Sequence, residues 1–255
     1  MGSRLLGLLA TVLTAAAAGR AETVFLAGFD AGYDADFAQG SPKARLAEGV
    51  TDEDVRLTEG RFGRGVFIGR KVPALALSYP SKGNFPVKEG TVEFWFRPEW
   101  SSDFREPDGP AWLQGRTEVV FFLTSGEPTG FRLVKNQYNV LHFFYALSYD
   151  SAKSRVGRVG NLWTKGRWNY YAVSWDEKEA RLFLDGRLLG VSDRWEVAGL
   201  IGDRLALGSL AGGPTRRDGA WGTFDDFRIS DRKLHVSSFA PPEGPLTAEK
   251  AAPLP

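Results

Sequence analysis

Apolar and polar side chains alternate most regularly between residues 166 and 190. Within Trp168–Trp175 every second side chain falls on the same face of an extended chain, which brings Tyr171, Val173 and Trp175 together. Aromatic and β-branched residues at a period of two suit a pleated sheet and fit a helix poorly. The pattern therefore predicts a long β-strand here.

Turn signals flank the strand that follows. Asp176–Glu179 is a charged break, after which Ala180–Leu184 resumes the apolar pattern. Asp185-Gly186 then supplies residues that accept the positive φ of a tight hairpin turn, and Leu188–Val191 continues beyond it. The whole region is predicted to be antiparallel β-sheet.

The same criteria predict strands along the rest of the chain and no helix of useful length after residue 21. The predicted strands are Glu22–Phe29, Lys43–Val50, Asp54–Leu57, Gly65–Ile68, Ala74–Tyr79, Thr91–Arg97, Val119–Leu123, Phe131–Lys135, Val140–Leu147, Arg204–Gly208 and Gly222–Ile229. Two long segments, 98–116 and 149–165, are predicted to be loops because the first is rich in proline and glycine and the second is polar and basic.

The two ends of the chain differ from the middle. Met1–Ala21 has the features of a signal peptide: a positive Arg4, an apolar run too short to span a bilayer, and small residues before a cleavage point after Ala21. We expect residues 22–240 to form one domain and the Pro/Ala-rich residues 241–255 to be a flexible tail. The mature protein is then secreted, extracellular or periplasmic, without stable membrane insertion.

Composition narrows the function classes. Hydrophobic residues make up 43% of the 255 residues, with 18 Phe and 8 Trp, which is enough to fill the space between two sheets. Loss of the leader changes the formal charge only from +1 to −1, so there is no global attraction to nucleic acid or acidic lipid. The absence of cysteine excludes disulfides and thiolate metal sites.

Four segments in order resemble a known family. They are GRFGRGVF (60–67), GTVEFWFRP (90–98), the hairpin WNYYAVSWD with ARLFLDGRLLG (168–190), and WGTFDDFRISDRKL (221–234), which is similar to the closing strand of laminin-G-like domains. These domains belong to the concanavalin A-like jelly-roll superfamily. The resemblance implies an all-β, two-sheet antiparallel jelly-roll sandwich, a fold that carries lectins, adhesins, structural modules and enzymes alike.

Catalytic motifs are not found. The two histidines, His142 and His235, have no serine nucleophile elbow, and the E-x-D-x-x-E signature of hydrolases in this superfamily is absent. Glu93 is the lone acid on a strong strand. No residue is therefore predicted to be catalytic, although acids on neighbouring strands, or a lyase that uses Tyr, His and Arg, stay open as alternatives.

A metal site is predicted at the closing strand. If Phe227 and Ile229 face the core, strict alternation turns Asp225 inward as well, and a buried carboxylate needs hydrogen bonds, a partner or a cation. Related domains place a structural Ca²⁺ near this strand with an acid from the first-strand loop, which matches Asp30. Asp226 is the alternative ligand if the strand is bulged. The competing interpretation is that backbone N–H groups or an arginine hold Asp225 without a metal.

Sugar binding is expected to rest on exposed aromatic rings, since pyranose faces are apolar and stack on them. The tryptophans in predicted loops or at strand ends are Trp100, Trp112, Trp163, Trp195 and Trp221. The sequence thus favours an exported, non-catalytic recognition module whose partner is a glycan or an extracellular protein. The alternatives are a polysaccharide hydrolase or lyase, and an adhesive or structural module.

Overall fold

A computed structural model gives the structure of the protein. It describes residues 22–102, 119–125, 130–136, 138–146, 154–159, 163–192, 195–197, 201–210 and 217–248. These ranges contain β-strands but no helix, and so no helix long and apolar enough to cross a membrane.

Eighteen strands lie within the described ranges. They are β1 (Thr23–Ala27), β2 (Phe37–Ala38), β3 (Arg45–Leu46), β4 (Val55–Glu59), β5 (Arg64–Ile68), β6 (Lys71–Val72), β7 (Leu77–Pro80), β8 (Gly90–Pro98), β9 (Val119–Ser125), β10 (Gly130–Lys135), β11 (Val140–Ala146), β12 (Ser154–Val159), β13 (Asn169–Trp175), β14 (Ala180–Leu184), β15 (Arg187–Ser192), β16 (Arg204–Leu207), β17 (Arg217–Asp218) and β18 (Gly222–Ser230).

The strands form two large antiparallel sheets. Sheet A has nine strands, in the order β15-β14-β13-β8-β18-β1-β2, with β5 joined to β18 and β4 joined to β5. Sheet B has seven strands, in the order β12-β11-β10-β9-β16-β7-β3, and β17 pairs separately with β6. The all-β, two-sheet sandwich predicted from the sequence is confirmed.

Aromatic rings from both sheets fill the core. Phe94 on β8 and Tyr171 on β13 stack with ring centroids 5.1 Å apart. From sheet B, Phe121 lies 4.7 Å from Tyr171 and 5.1 Å from Phe96. Such pairs contribute about 0.5–1.5 kcal/mol each beyond the area that they bury. The aromatic residues expected from the composition to fill the core therefore help to hold the two sheets together.

The central hairpin follows its predicted pattern. Asp185 and Gly186 turn the chain between β14 and β15 with φ values of 50° and 72°. Tyr171, Val173 and Trp175 face the core, whereas Tyr170 lies in a separate cluster on the outer face of sheet A. Both the turn and the alternation of faces are confirmed.

The chain after β18 returns across the outer face of sheet A. The Phe239 N–H donates to the Gly186 carbonyl over 2.9 Å, and the Leu246 N–H donates to Asp226 over 2.8 Å. Residues 241–248, the described part of the predicted tail, are therefore anchored to the sandwich. The predicted signal peptide and residues 249–255 lie outside the described residues.

One predicted loop contains a strand. Within 149–165, β12 pairs with β11 from Val159 opposite Val140 to Ser154 opposite Tyr145. It is an edge strand of sheet B, paired through its backbone with β11 on one side. The prediction of a loop is wrong here because the sequence SRVGRV lacks the strongly apolar face used to recognise strands.

Candidate functional site

Strand β18 carries a bulge where sheet A divides. Its first half pairs with β5 and its second half with β1, and its register against β8 shifts between Asp225 and Arg228. Asp226 adopts a φ of 50° at this point. The extra residue lets both Phe224 and Phe227 face the core, although they are three positions apart.

The bulge reverses the direction predicted for Asp225. Asp225 lies opposite Trp95, and Trp95 belongs to the cluster on the outer face of sheet A. The expectation that Asp225 points to the core with Phe227 is wrong because the alternation is interrupted between them. Asp225 is nevertheless fully buried, since the turn between β4 and β5 lies over it.

Backbone N–H groups hold the Asp225 carboxylate. Oδ2 accepts from the N–H groups of Arg61 at 2.6 Å and Phe62 at 2.8 Å, and Oδ1 accepts from the Asp226 N–H at 2.8 Å. Gly60 leaves room for this contact, because a Cβ there would lie 2.6 Å from Oδ2. Burial nevertheless raises the pKa of Asp225 to about 7, against the lowering effect of the backbone hydrogen bonds.

Asp226 sits among other acids. Its Oδ2 accepts the Leu246 N–H, and it is buried. Burial raises its pKa to about 6, and the negative charges of Asp30 and Asp36 add to the rise. Asp30 accepts the Arg64 N–H at 2.7 Å, so it contacts the same turn between β4 and β5 as Asp225. The structure therefore brings the three predicted metal residues, Asp30, Asp225 and Asp226, to the point where sheet A divides.

These residues fit a metal ion only in part. No group of three or more His, Cys, Asp or Glu side chains has metal-binding geometry in the part of the chain that the structure describes. Both oxygens of Asp225 are occupied by N–H donors, which matches the competing interpretation. Among the described residues, one oxygen each of Asp30 and Asp226 accepts no hydrogen bond, and these two are the atoms that suit a hard cation.

A surface pocket of about 720 Å³ lies on the loop that carries Asp36. Its lining combines the ring of Tyr33 with carboxylates and small apolar side chains, namely Ala31, Gly32, Tyr33, Asp34, Ala35, Asp36, Ala44 and Leu46. The Asp36 Oδ2 accepts the Gly28 N–H over 2.7 Å. Asp34 accepts from Lys43 Nζ at 2.7 Å and from the Ala44 N–H at 2.9 Å, which fixes the loop.

The tryptophans predicted to bind ligand are largely buried. Trp100 and Trp163 are 1% and 3% exposed, and their centroids lie 5.7 Å apart. Trp195 is 5% exposed and stacks on Phe143. These three rings anchor loops to the core and present no face to a ligand in this conformation, which corrects the expectation for them.

The remaining two predicted tryptophans differ from these. Trp221 is half-buried, with the Arg70 guanidinium 5.1 Å from its ring centroid. Trp112 lies outside the described residues.

Sequence reasoning missed aromatic residues on the outer face of sheet A. Trp168 and Phe62 are half-buried at the rim of the outer cluster, and Trp95 lies within it. The sequence pattern assigns Trp168 to a strand and to no site. Its position directly before β13, on the same face as Tyr170, was the signal that it lies outside the core.

Glu93 occupies a closed polar site on the same outer face. Its carboxylate pairs with Arg228, accepts from the Tyr170 hydroxyl at 2.7 Å and lies 2.8 Å from His235 Nε2. Burial opposes the charge, but Arg228, His235 and Tyr170 together lower the pKa of Glu93 to about 2. The side-chain types that a lyase uses do meet here, yet all of them are at least nine-tenths buried except Arg228, which is partly buried.

Comparisons with solved structures show the same fold. Domain 4 of an extracellular GH43 arabinanase from Geobacillus stearothermophilus, solved with arabinotriose, is 16% identical with a TM-score of 0.59, covering 85% of this chain and 96% of that one. A structure of botulinum neurotoxin type C is 12% identical with a TM-score of 0.59. Its description states that cell entry of this toxin depends on interaction with two ganglioside molecules. The match covers 84% of this chain and 49% of that one, so this chain spans about half of the toxin chain.

A third structure, the binding domain of botulinum neurotoxin DC in complex with SialylT, is 10% identical with a TM-score of 0.52 and covers 76% of this chain and 43% of that one. A search of curated protein sequences gave no match. The laminin-G family model described as the concanavalin A-like lectin/glucanases superfamily matches residues 75–238, which is more than half of the chain. The chain is therefore a member of the concanavalin A-like lectin/glucanases superfamily.

Proposed function

We propose that this protein is an exported, non-catalytic module that recognises carbohydrate. Its superfamily includes lectins, and structural neighbours carry descriptions that name arabinotriose and gangliosides. Since one fold serves many functions, the ligand must be argued from a site rather than from the fold.

The pocket at residues 31–46 carries the proposal. Tyr33 offers a ring for the apolar face of a sugar, while Asp34 and Asp36 offer acceptors for its hydroxyl groups. The Tyr33 carbonyl accepts the hydroxyl of buried Tyr79 at 2.6 Å. The pocket is thus held in place before a ligand arrives, which reduces the entropy that binding must overcome.

Calcium belongs to the same proposal. Asp30 and Asp226 would supply one carboxylate oxygen each, and main-chain carbonyls of the loop that carries Asp30 would complete an oxygen shell of the kind that Ca²⁺ takes. The ion would neutralise part of the negative charge around Asp226 and stiffen the loop beside the pocket. The proposed role is structural, not catalytic.

A glycan array with Asp36→Asn as the test variant examines the proposal. The wild-type protein is expected to bind a subset of neutral oligosaccharides, with reduced binding in a chelator. Asp36→Asn keeps one acceptor for the Gly28 N–H, so the fold is retained while one ligand acceptor changes. Its affinity should fall at least about tenfold, because the loss of one charge-assisted hydrogen bond costs roughly 1.5–3 kcal/mol.

Glu243→Gln provides the matched control, because Glu243 is an exposed acid outside the pocket. It should bind like the wild type. An array that stays silent for every neutral sugar, in the presence and absence of calcium, would overturn carbohydrate recognition by this pocket.

A further inference from the structure

Two arginines lie against aromatic rings on the outer face of sheet A. The Arg97 guanidinium carbon is 5.0 Å from the ring centroid of Trp168, and that of Arg61 is 4.8 Å from Trp95 and 5.6 Å from Phe62. Trp95 and Arg97 are two residues apart on β8, so their side chains point to the same side. We refer to these five residues as the arginine–tryptophan face.

The two guanidinium groups lack acidic partners. Among the described residues Arg61 makes ring contacts but no side-chain hydrogen bond or ion pair, and Arg97 donates only to the Glu59 carbonyl, at 3.4 Å. Elsewhere in the chain Arg228 pairs with Glu93. The arginine–tryptophan face therefore presents two guanidinium groups that no acidic side chain pairs with among the described residues.

Buried donors at the face also lack acceptors. Trp95 is 6% exposed, and its Nε1, like the Nε of Arg97, has no hydrogen-bond partner in the described part of the structure. An unmet buried donor costs about 1–3 kcal/mol. Asp225 lies opposite Trp95 on β18, but its carboxylate is engaged by the backbone N–H groups of Arg61, Phe62 and Asp226.

The face therefore combines N–H donors with aromatic surface. A guanidinium that stacks on a ring keeps its N–H edge available for a planar oxyanion, which it binds with two parallel hydrogen bonds. Trp168 is half-buried and offers ring surface against which a pyranose can pack. We infer that the arginine–tryptophan face binds an acidic saccharide, with the anionic group at Arg61 and Arg97 and a sugar ring at Trp168.

This site is separate from the pocket at residues 31–46 and rests on the proposed function only in taking a saccharide as its ligand. Single-stranded nucleic acid is an alternative ligand, because its phosphates bind arginine and its bases stack on aromatic side chains. The chain carries a formal charge of only +1, however, and lacks the overall basic surplus that attracts nucleic acid. Saccharide is thus the better match.

Isothermal titration calorimetry with α-1,4-linked tetragalacturonate, the neutral galactotetraose of the same linkage, and a sulfated form of that neutral sugar tests the site. We expect the two acidic sugars to bind at least about tenfold more tightly than the neutral sugar, with the advantage falling as salt screens the charges. Comparison of the uronate with the sulfate ester identifies which anionic group is preferred. Equal affinity for the neutral sugar would overturn the inference.

Variants locate the binding. Arg97→Gln and Arg61→Gln should each weaken tetragalacturonate binding about tenfold, since each removes a charge-assisted hydrogen bond. Trp168→Ala should weaken it similarly, and Trp168→Phe should restore part of the loss. Arg187→Gln is the charge-matched control, because Arg187 is exposed on β15 and lies opposite Leu184, which belongs to the core cluster and not to the outer cluster. Wild-type affinity in both arginine variants would place the ligand elsewhere and overturn the site.

Melting temperatures separate binding from folding. If Trp168→Ala lowers the melting temperature, Arg61→Gln still decides the question, because the Arg61 side chain is exposed. Tighter binding of an octathymidylate than of tetragalacturonate would overturn the saccharide assignment. If tetragalacturonate binds but no neutral sugar binds on the array, only the proposal for the pocket at residues 31–46 is overturned. If neutral sugars bind on the array but tetragalacturonate does not bind, only the arginine–tryptophan face is overturned.

Discussion

Arg228 on β18 donates from both Nε and Nη2 to the same carboxylate oxygen of Glu93 on the neighbouring strand β8. The second oxygen of Glu93 meets the Tyr170 hydroxyl and the His235 ring. The carboxylate is therefore saturated by four donor atoms in a site that is 1% exposed. This arrangement joins the two central strands of sheet A to the segment that follows β18.

Glu93→Gln should destabilise the protein strongly. The substitution leaves the Arg228 guanidinium buried without a counter-charge, and breaking a buried pair in this way costs roughly 3–5 kcal/mol. Urea unfolding followed by tryptophan fluorescence measures the loss. Glu89→Gln is the matched control, because Glu89 pairs with Arg232 at the surface and exposed pairs contribute only about 0–1 kcal/mol. Equal losses for the two variants would show that the Glu93 pair adds nothing special.

The same carboxylate predicts an acid-sensitive contribution to stability. The pKa of Glu93 is lowered from 4.5 to about 2 in the folded state, so its contribution is fully present above pH 4.5 and is lost as the pH falls toward 2. The shift corresponds to a few kcal/mol, on the order of 3.

Urea unfolding of wild type and Glu93→Gln at a series of pH values measures this dependence. The stability gap between the two proteins should be constant from neutral pH down to about 5 and should narrow below it, because the wild-type advantage fades with protonation. A gap that is independent of pH down to 2 would contradict the assignment.

The strands and their faces were predictable because burial on one side of a sheet forces alternation. Tyr171 faces the core and Tyr170 faces outward for that reason. The direction of Asp225 was not predictable in the same way. A bulge inserts a residue wherever the partner strands require it, here where β18 exchanges β5 for β1, and the sequence DDF carries no local mark of that exchange.

The candidate site was less predictable than the fold. Trp100 and Trp195 are aromatic residues in predicted loops, as ligand-binding residues often are, and yet they lie in the core. A large ring in a loop lowers the free energy of the folded state most by packing inward. Arg97 and Trp168 become neighbours only through the pairing of β8 with β13. The contact between them depends on strand order, which single-sequence patterns do not contain.

Gly60→Ala tests how the Asp225 carboxylate holds the turn between β4 and β5. A Cβ at this position would lie 2.6 Å from Asp225 Oδ2, so the turn or the carboxylate must move and the hydrogen bonds to it lengthen. We expect a loss of about 1–3 kcal/mol in the free energy of unfolding. Gly244→Ala is the control, since nothing lies within 4 Å of a Cβ there; equal effects of the two substitutions would contradict the close approach.

Calcium should stabilise the protein through Asp226 and not through Asp225. A ligand that binds only the folded state at a concentration of 100 times its Kd adds about 2.7 kcal/mol, which corresponds to roughly 5–10 °C in melting temperature for a domain of this size. Differential scanning fluorimetry with added Ca²⁺ or chelator measures the shift. Asp226→Asn should abolish it because Asp226 has a carboxylate oxygen without a donor among the described residues, whereas Asp225→Asn should keep it because backbone N–H groups occupy Asp225. A shift lost in Asp225→Asn but kept in Asp226→Asn would reverse the assignment, and no shift in the wild type would remove calcium from the proposal.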